Sequence, residues 1–187
     1  MKSKKPTQKD LFGKPIRQRK SRQQILLEKY DRETLDKRID RLKWVEKIFP
    51  KGYGFLMPPE TSYVFNEAKM SFINGELVAT LLLVSAFVEH WLGIHIESKG
   101  FHKEAQKGLS AIIDCARTNN LIHSSLLVKA DHLREIRNPF VHLKPYTHKH
   151  RVMQRAMDMQ ANPLTIMEKD AKDALSIMYT IASASLH

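Results

Sequence analysis

The sequence is short of cysteine, clustered glycine and long uncharged runs, and each shortage excludes a class of protein. A single cysteine, Cys115, excludes an intramolecular disulfide and any zinc site built from several cysteines. The seven glycines form no glycine-rich phosphate loop. The longest uncharged stretches, residues 77–88 and 174–187, fall short of the roughly 20 residues that cross a bilayer. The N-terminus is basic without a following apolar core. These shortages predict a cytoplasmic protein without a signal peptide or membrane contact.

Acidic residues are also in deficit, and the deficit is concentrated at one end of the chain. Lys and Arg outnumber Asp and Glu by 31 to 20, which gives a formal net charge of +11. Residues 1–22 contain nine Lys or Arg and one acid, whereas residues 23–187 contain 22 against 19. The first segment has too few large apolar groups to offset its ordering entropy by burial. We therefore predict a disordered basic tail over residues 1–22, which would attract a nucleic-acid backbone.

Strand-like alternation is missing, and the spacing of apolar residues is helical. Residues 23–60 are predicted to form an amphipathic helix, in one or two pieces, and a connector rich in proline and glycine. Residues 61–187 are predicted to form a helical bundle. Its core helices are expected over residues 61–96, 102–118, 124–142 and 164–184. The fold class is therefore all-α, an up-and-down bundle of four core helices with a basic N-terminal helical extension.

The segment 137–142, Arg-Asn-Pro-Phe-Val-His, places a permanent cation, an amide and an imidazole near the end of the third core helix. Asn138 and His142 are four residues apart and share a helix face. Arg137 and His142 are five apart and diverge by roughly 140° on a straight helix. Pro139 favours a kink or local unwinding that would gather the three side chains, because its ring clashes with the carbonyl four residues earlier. Arg137 could then bind phosphate, and His142 could transfer protons near neutral pH.

This pattern resembles the HEPN superfamily: a helical bundle in which the third helix ends in Arg and a polar residue, with His a few residues later. Many of its members are metal-independent ribonucleases in toxin, abortive-infection and CRISPR-associated systems. The resemblance covers about residues 61–186 and rests on Arg137, Asn138 and His142. It implies an endoribonuclease that cleaves RNA without a cofactor or metal. It also implies a homodimer in which two motifs face each other across one composite cleft, with an antitoxin or regulatory protein as a further partner.

The same resemblance implies a role for each motif residue. His142 would be the general base or acid while the ribose 2′-OH attacks the adjacent phosphate. Arg137 would stabilise charge on the phosphoryl oxygens, and Asn138 would orient a catalytic group or the phosphate. One toxin subgroup carries a tyrosine two residues after the histidine. That position here is Lys144, and the nearest tyrosine is Tyr146, so silencing by modification of that tyrosine is not expected.

Other interpretations of these residues stay open. An arginine followed by Asn-Pro also fits an ordinary helix end, where a cation faces the negative end of the helix dipole. The chain could instead be a HEPN-like module that binds a nucleotide or a protein and cleaves nothing. It could also be a DNA-associated regulator that uses its basic N-terminus.

Four further polar residues are weaker candidates. Glu89 is a candidate neighbour of Arg137, because some HEPN relatives carry a polar residue on the long helix that faces the motif. Glu89, His90 and His95 lack the spacing of the zinc hydrolases, so a polar edge on a buried helix is the favoured interpretation. His132, five residues before Arg137, is a candidate for the border of the same cleft.

Overall fold

The computed structural model describes residues 20–49 and 56–184, and within these ranges the chain is helical with short connections and no strand. The eight helices of the described ranges are α1 (Arg22–Ile48), α2 (Pro59–Asn74), α3 (Leu77–Ser98), α4 (His102–Ala105), α5 (Leu109–Thr118), α6 (Ser124–Val141), α7 (Val152–Asp158) and α8 (Pro163–Ser183). The all-α class is confirmed. Most of the tail predicted over residues 1–22 lies outside the described residues, and Arg22 already begins α1.

The chain divides into two compact units, Met1–Lys37 and Arg38–His187. The described part of the first unit is the beginning of α1, a solvated helix along which charges of both signs alternate. Ion pairs one helical turn apart, such as Lys29–Glu33, each contribute a few tenths of a kcal/mol to such a helix. The helix predicted from residue 23 onward is one helix, α1, rather than two pieces.

The second unit is built around α3, which packs against α2, α4, α5, α6 and α8. Its fully buried positions recur at helical spacing, at Leu81, Val84, Val88, Leu92 and Ile96. By length and composition alone α3 could cross a membrane, but half of its most apolar window is buried within the fold. A central helix of a soluble protein has the same character.

Two of the predicted helices are each divided in two by a glycine. The helix predicted over residues 61–96 ends after Asn74, because Gly75 adopts a φ of 87° and donates its N–H to the Phe72 carbonyl at 3.0 Å. The helix predicted over residues 102–118 is divided into α4 and α5 before Gly108, which has a φ of 90°. Glycine adopts this left-handed conformation without the steric cost that a Cβ brings. The prediction of unbroken helices here was wrong.

The last core helices agree with their predicted bounds, and α6 carries the motif. α6 continues through Pro139 and ends at Val141, so the helix does not stop at the residue before the proline. His142 leaves the helix in an extended conformation, and its backbone N–H donates to the Asn138 carbonyl at 2.8 Å. α7 lies between the helices predicted over residues 124–142 and 164–184, and the sequence did not predict it.

Candidate site between α3 and α6

Arg137 directs its half-buried side chain towards α3. Its Nε donates a hydrogen bond of 3.1 Å to the hydroxyl of Ser85, which is buried in α3. Among the described residues no other group hydrogen-bonds the guanidinium, so Nη1 and Nη2 have N–H donors for a ligand. An arginine that only stabilised the end of its own helix would face the last carbonyls of that helix. The bond to a neighbouring helix therefore argues against the interpretation of Arg137 as an ordinary helix end.

Arg137 lines a pocket of about 180 Å³ between the two helices. The other lining residues are Leu82, Ser85, Ala86, Glu89, His90 and Val141. Pockets that enclose a drug-sized ligand have volumes of roughly 300–1,000 Å³. The pocket is therefore too small for such a ligand, and its volume suits a group of about the size of a phosphate.

A single chain does not gather the three motif residues in this pocket. The Asn138 amide faces Arg134, one turn earlier: its nitrogen donates to the Arg134 carbonyl at 3.1 Å, and its oxygen accepts from Nη1 at 3.3 Å. The imidazole of His142 is exposed beyond the end of α6 and is not part of the pocket lining. Arg137 thus lies in the pocket, Asn138 lies along the helix, and His142 lies outside.

Glu89 lines the pocket as expected, but its carboxylate also has a structural task. Its Oε2 accepts the backbone N–H of Leu109, the first residue of α5, at 2.9 Å. The first N–H groups of a helix have no partner within the helix, and the carboxylate accepts one of them at the start of α5. It also faces the positive end of the dipole of α5. Glu89 therefore anchors the start of α5 while it forms one wall of the Arg137 pocket.

A second pocket, of about 400 Å³, lies on the other side of Glu89 and His90. Its lining includes two further carboxylates, Glu60 and Glu97, and no Lys or Arg. Three carboxylates would repel a phosphate group. Of the two pockets that share Glu89, only the one that contains Arg137 is therefore suited to an anion.

The other polar candidates have different surroundings. His90 lines the Arg137 pocket and is the only imidazole among its lining residues, although the sequence suggested it only as a weak metal ligand. His95 is buried, with Nε2 3.2 Å from the Leu121 carbonyl, so it is a core residue. His132 is exposed and is not part of the lining. Among the described residues no three His, Cys, Asp or Glu side chains are grouped to hold a metal ion.

No protein-family model, curated protein or solved structure matches this chain. The resemblance to the HEPN superfamily rests on Arg137, Asn138 and His142 and on their place at the end of α6, and it stays a prediction. What the chain does is therefore inferred from the contacts of the pocket and the chemistry of its residues.

Proposed function

We propose that the protein is a metal-independent endoribonuclease whose Arg137 pocket binds the scissile phosphate of RNA. The observation that carries this proposal is the bond from Nε of Arg137 to Ser85. It leaves the two Nη groups without a hydrogen-bond partner among the described residues, on a side chain that lines a pocket with the volume for a phosphate. A guanidinium held by one edge presents its remaining donors in a planar fork, which matches two phosphoryl oxygens.

The proposed reaction is a transesterification within the RNA strand. The ribose 2′-OH attacks the adjacent phosphorus, the bond from phosphorus to the 5′ oxygen of the next nucleotide breaks, and a 2′,3′-cyclic phosphate remains. One group takes the proton of the 2′-OH and another gives a proton to the leaving oxygen. His142 is the proposed proton-transfer group. Arg137 stabilises negative charge on the phosphoryl oxygens, and Asn138 orients the site.

A homodimer would complete this site. One chain supplies one His142, and that imidazole lies outside the Arg137 pocket. Two copies whose motifs face each other supply two histidines to one composite cleft, one to accept a proton and one to donate it. The partly exposed apolar side chains of Leu82 and Val141 line the pocket and offer surface against which a second copy can pack.

The resemblance to the HEPN superfamily supplies the rest of the proposal. The four core helices of an up-and-down bundle would be α3, α5, α6 and α8. The contacts of α3 with the other three, and of α6 with α5 and α8, support this arrangement. The resemblance alone supports a cytoplasmic toxin or phage-defence ribonuclease that an antitoxin or regulatory protein restrains.

The test compares RNA cleavage by Arg137→Ala, Arg137→Lys and His142→Ala with cleavage by the unchanged protein, all in excess EDTA. We expect each alanine variant to lose about 100-fold or more in rate, the order of magnitude for a lost proton-transfer or charge-stabilising group. Lysine keeps the charge but lacks the planar fork, so Arg137→Lys should be nearly as slow. The products should end in a cyclic phosphate.

A matched control is Arg117→Ala. Arg117 lies in the last turn of α5, so it is a true helix-end arginine, and it is exposed beside Asp114. Its replacement should leave cleavage unchanged. Cleavage at the normal rate by both Arg137→Ala and His142→Ala would refute the ribonuclease proposal. So would cleavage that stops when metal is removed.

The position of His142 outside the pocket favours a second candidate function. A pocket with Arg137 and without the motif histidine can bind a phosphate without cleaving it. If the protein cuts no RNA, a non-catalytic module that binds nucleotides is the better proposal. Equilibrium dialysis with nucleoside monophosphates should then show binding that Arg137→Ala abolishes.

A further inference from the structure

The positive excess of residues 23–187 comes from one stretch, which includes the motif and the residues after it. Between Glu135 and Asp158 the chain has five Lys or Arg, three His and no acid. Elsewhere in residues 23–187 acids outnumber bases, by 19 to 17. Of the five Lys and Arg, Arg137 donates a hydrogen bond to Ser85, and Arg155 forms an ion pair with the buried Asp170. The other three cations, Lys144, Lys149 and Arg151, belong to one connection, residues 142–151, which we call the basic loop.

The basic loop is held by hydrogen bonds of its own. The N–H of His148 donates to the Pro145 carbonyl at 3.0 Å, and the N–H of Arg151 donates to the His148 carbonyl at 2.9 Å. The guanidinium of Arg151 crosses the loop and donates from Nη1 to the Lys144 carbonyl at 2.8 Å. These bonds close the loop into a defined turn between α6 and α7.

The Arg151 guanidinium also lies over the ring of Tyr146, with its Cζ atom 4.7 Å from the ring centroid. Tyr146 is nevertheless 87% exposed, so the ring face opposite the guanidinium is open to solvent. A tyrosine ring in contact with a cation on one face has lost part of its rotational freedom and keeps the other face for a ligand. Leu143, which is 98% exposed, adds a second apolar side chain to the loop.

We propose that the basic loop binds single-stranded RNA and that Tyr146 stacks on one unpaired base. Sequence-tolerant single-strand binding combines cations along the backbone with aromatic rings under the bases. Arg151 and Tyr146 provide the stacked pair, and Lys144 and Lys149 provide charge for the flanking phosphates. This inference rests on the proposed ribonuclease function, because the loop begins at His142 and would hold the strand beside the motif.

The geometry favours a single strand over other anionic partners. In an RNA duplex the faces of the bases are stacked on each other and the major groove is too narrow for side chains, so Tyr146 would have no base to contact. An anionic membrane would also attract the cations, but surface-bound segments bury an extended apolar face. Leu143 and Tyr146 are the two large apolar side chains that the basic loop exposes.

The test measures binding of the whole protein to a short fluorescein-labelled 2′-O-methyl oligonucleotide by fluorescence anisotropy. The methyl group blocks the attacking oxygen, so binding is measured without cleavage, and a failure of the ribonuclease proposal does not affect the result. We expect Tyr146→Ala to weaken binding roughly 10-fold, the effect of one lost base–aromatic stack. Tyr146→Phe keeps the ring and should bind within about 2-fold of the unchanged protein.

A matched control is Tyr63→Ala, since Tyr63 is a 71% exposed tyrosine on α2. It should bind RNA as the unchanged protein does. Normal binding by Tyr146→Ala would overturn the proposal, and so would an equal loss in Tyr146→Phe. Equal affinity for a matched duplex would overturn it as well. If Tyr146→Ala instead abolished binding to phosphatidylserine vesicles while RNA binding persisted, the loop would be a membrane contact and the RNA assignment would be wrong.

Discussion

At the level of single residues, Ser85 determines how Arg137 is presented. Its hydroxyl accepts the Nε hydrogen bond at 3.1 Å from within the core. Ser85→Ala removes that bond but almost no volume, so the fold should be nearly unchanged. A hydrogen bond to a charged group is worth about 1.5–3 kcal/mol, so we expect the rate of RNA cleavage to fall roughly 10-fold or more. Single-turnover kinetics with saturating RNA would measure the fall.

The same change should have no effect once Arg137 is gone. If Ser85 acts only through Arg137, the variant with both Ser85→Ala and Arg137→Ala should be as slow as Arg137→Ala alone. Ser98→Ala is the control, because Ser98 lies on the same helix and donates to the His95 carbonyl. An equal and independent loss from Ser85→Ala in both backgrounds would contradict the positioning role of Ser85.

The sequence predicted one neighbour of Arg137 and missed two others. It offered Glu89 as a neighbour on the long helix, and both side chains line one pocket. Ser85 was missed, because an isolated serine in an apolar helix carries no pattern that distinguishes it. His90 was considered only as a metal ligand. Its place beside Arg137 depends on how α3 is rotated against α6, which is set by packing of the whole unit.

At the level of elements, the turn between α2 and α3 depends on Gly75. A Cβ at this position would lie 2.6 Å from Nη1 of Arg41, which is paired with Glu168 through Nη2 at 2.8 Å. Gly75→Ala should therefore destabilise the protein by about 1–2 kcal/mol for the left-handed backbone and by a further amount for the displaced Arg41. Urea denaturation followed by circular dichroism would measure the loss.

Gly100→Ala separates the two contributions. Gly100 has a φ of 93°, close to that of Gly75, but a Cβ there would meet nothing within 4 Å. Its replacement should therefore cost only the backbone strain, and Gly75→Ala should cost more. Equal losses in the two variants would show that Arg41 moves aside without weakening its pairing.

These glycines also explain which elements the sequence could predict. Apolar spacing predicted the bounds of α6 and α8 to within one or two residues. The same spacing continues across Gly75 and Gly108, so it predicted unbroken helices there. The spacing of apolar residues indicates which face of a helix is buried. Whether the helix continues past a given position depends on the φ of that single residue, and a left-handed φ ends it.

At the level of the whole molecule, the distribution of charge agrees with the proposed ligand. The sequence concentrates its positive excess in residues 1–22 and in the stretch from Arg137 to Arg155, and the remainder is slightly acidic. The pocket lined by Glu60, Glu89 and Glu97 repels anions, and it lies next to the Arg137 pocket, which is suited to an anion. Binding of nucleic acid by such a chain should weaken steeply with salt.

The oligomeric state is the last prediction at this scale. If two copies meet at the mouth of the Arg137 pocket, Val141, which is 47% exposed there, becomes buried in the dimer. Val141→Gln puts a polar side chain into that interface without adding charge beside Arg137. Sedimentation should then show the unchanged protein at twice its 21.7 kDa mass and Val141→Gln largely as a monomer that has lost cleavage.

The control for this prediction is Val128→Gln. Val128 is a valine of α6 that is 66% exposed but does not line the pocket, so this variant should stay dimeric and active. A monomer for the unchanged protein at high micromolar concentration would refute the composite site, because the second His142 of the proposed reaction would then be absent.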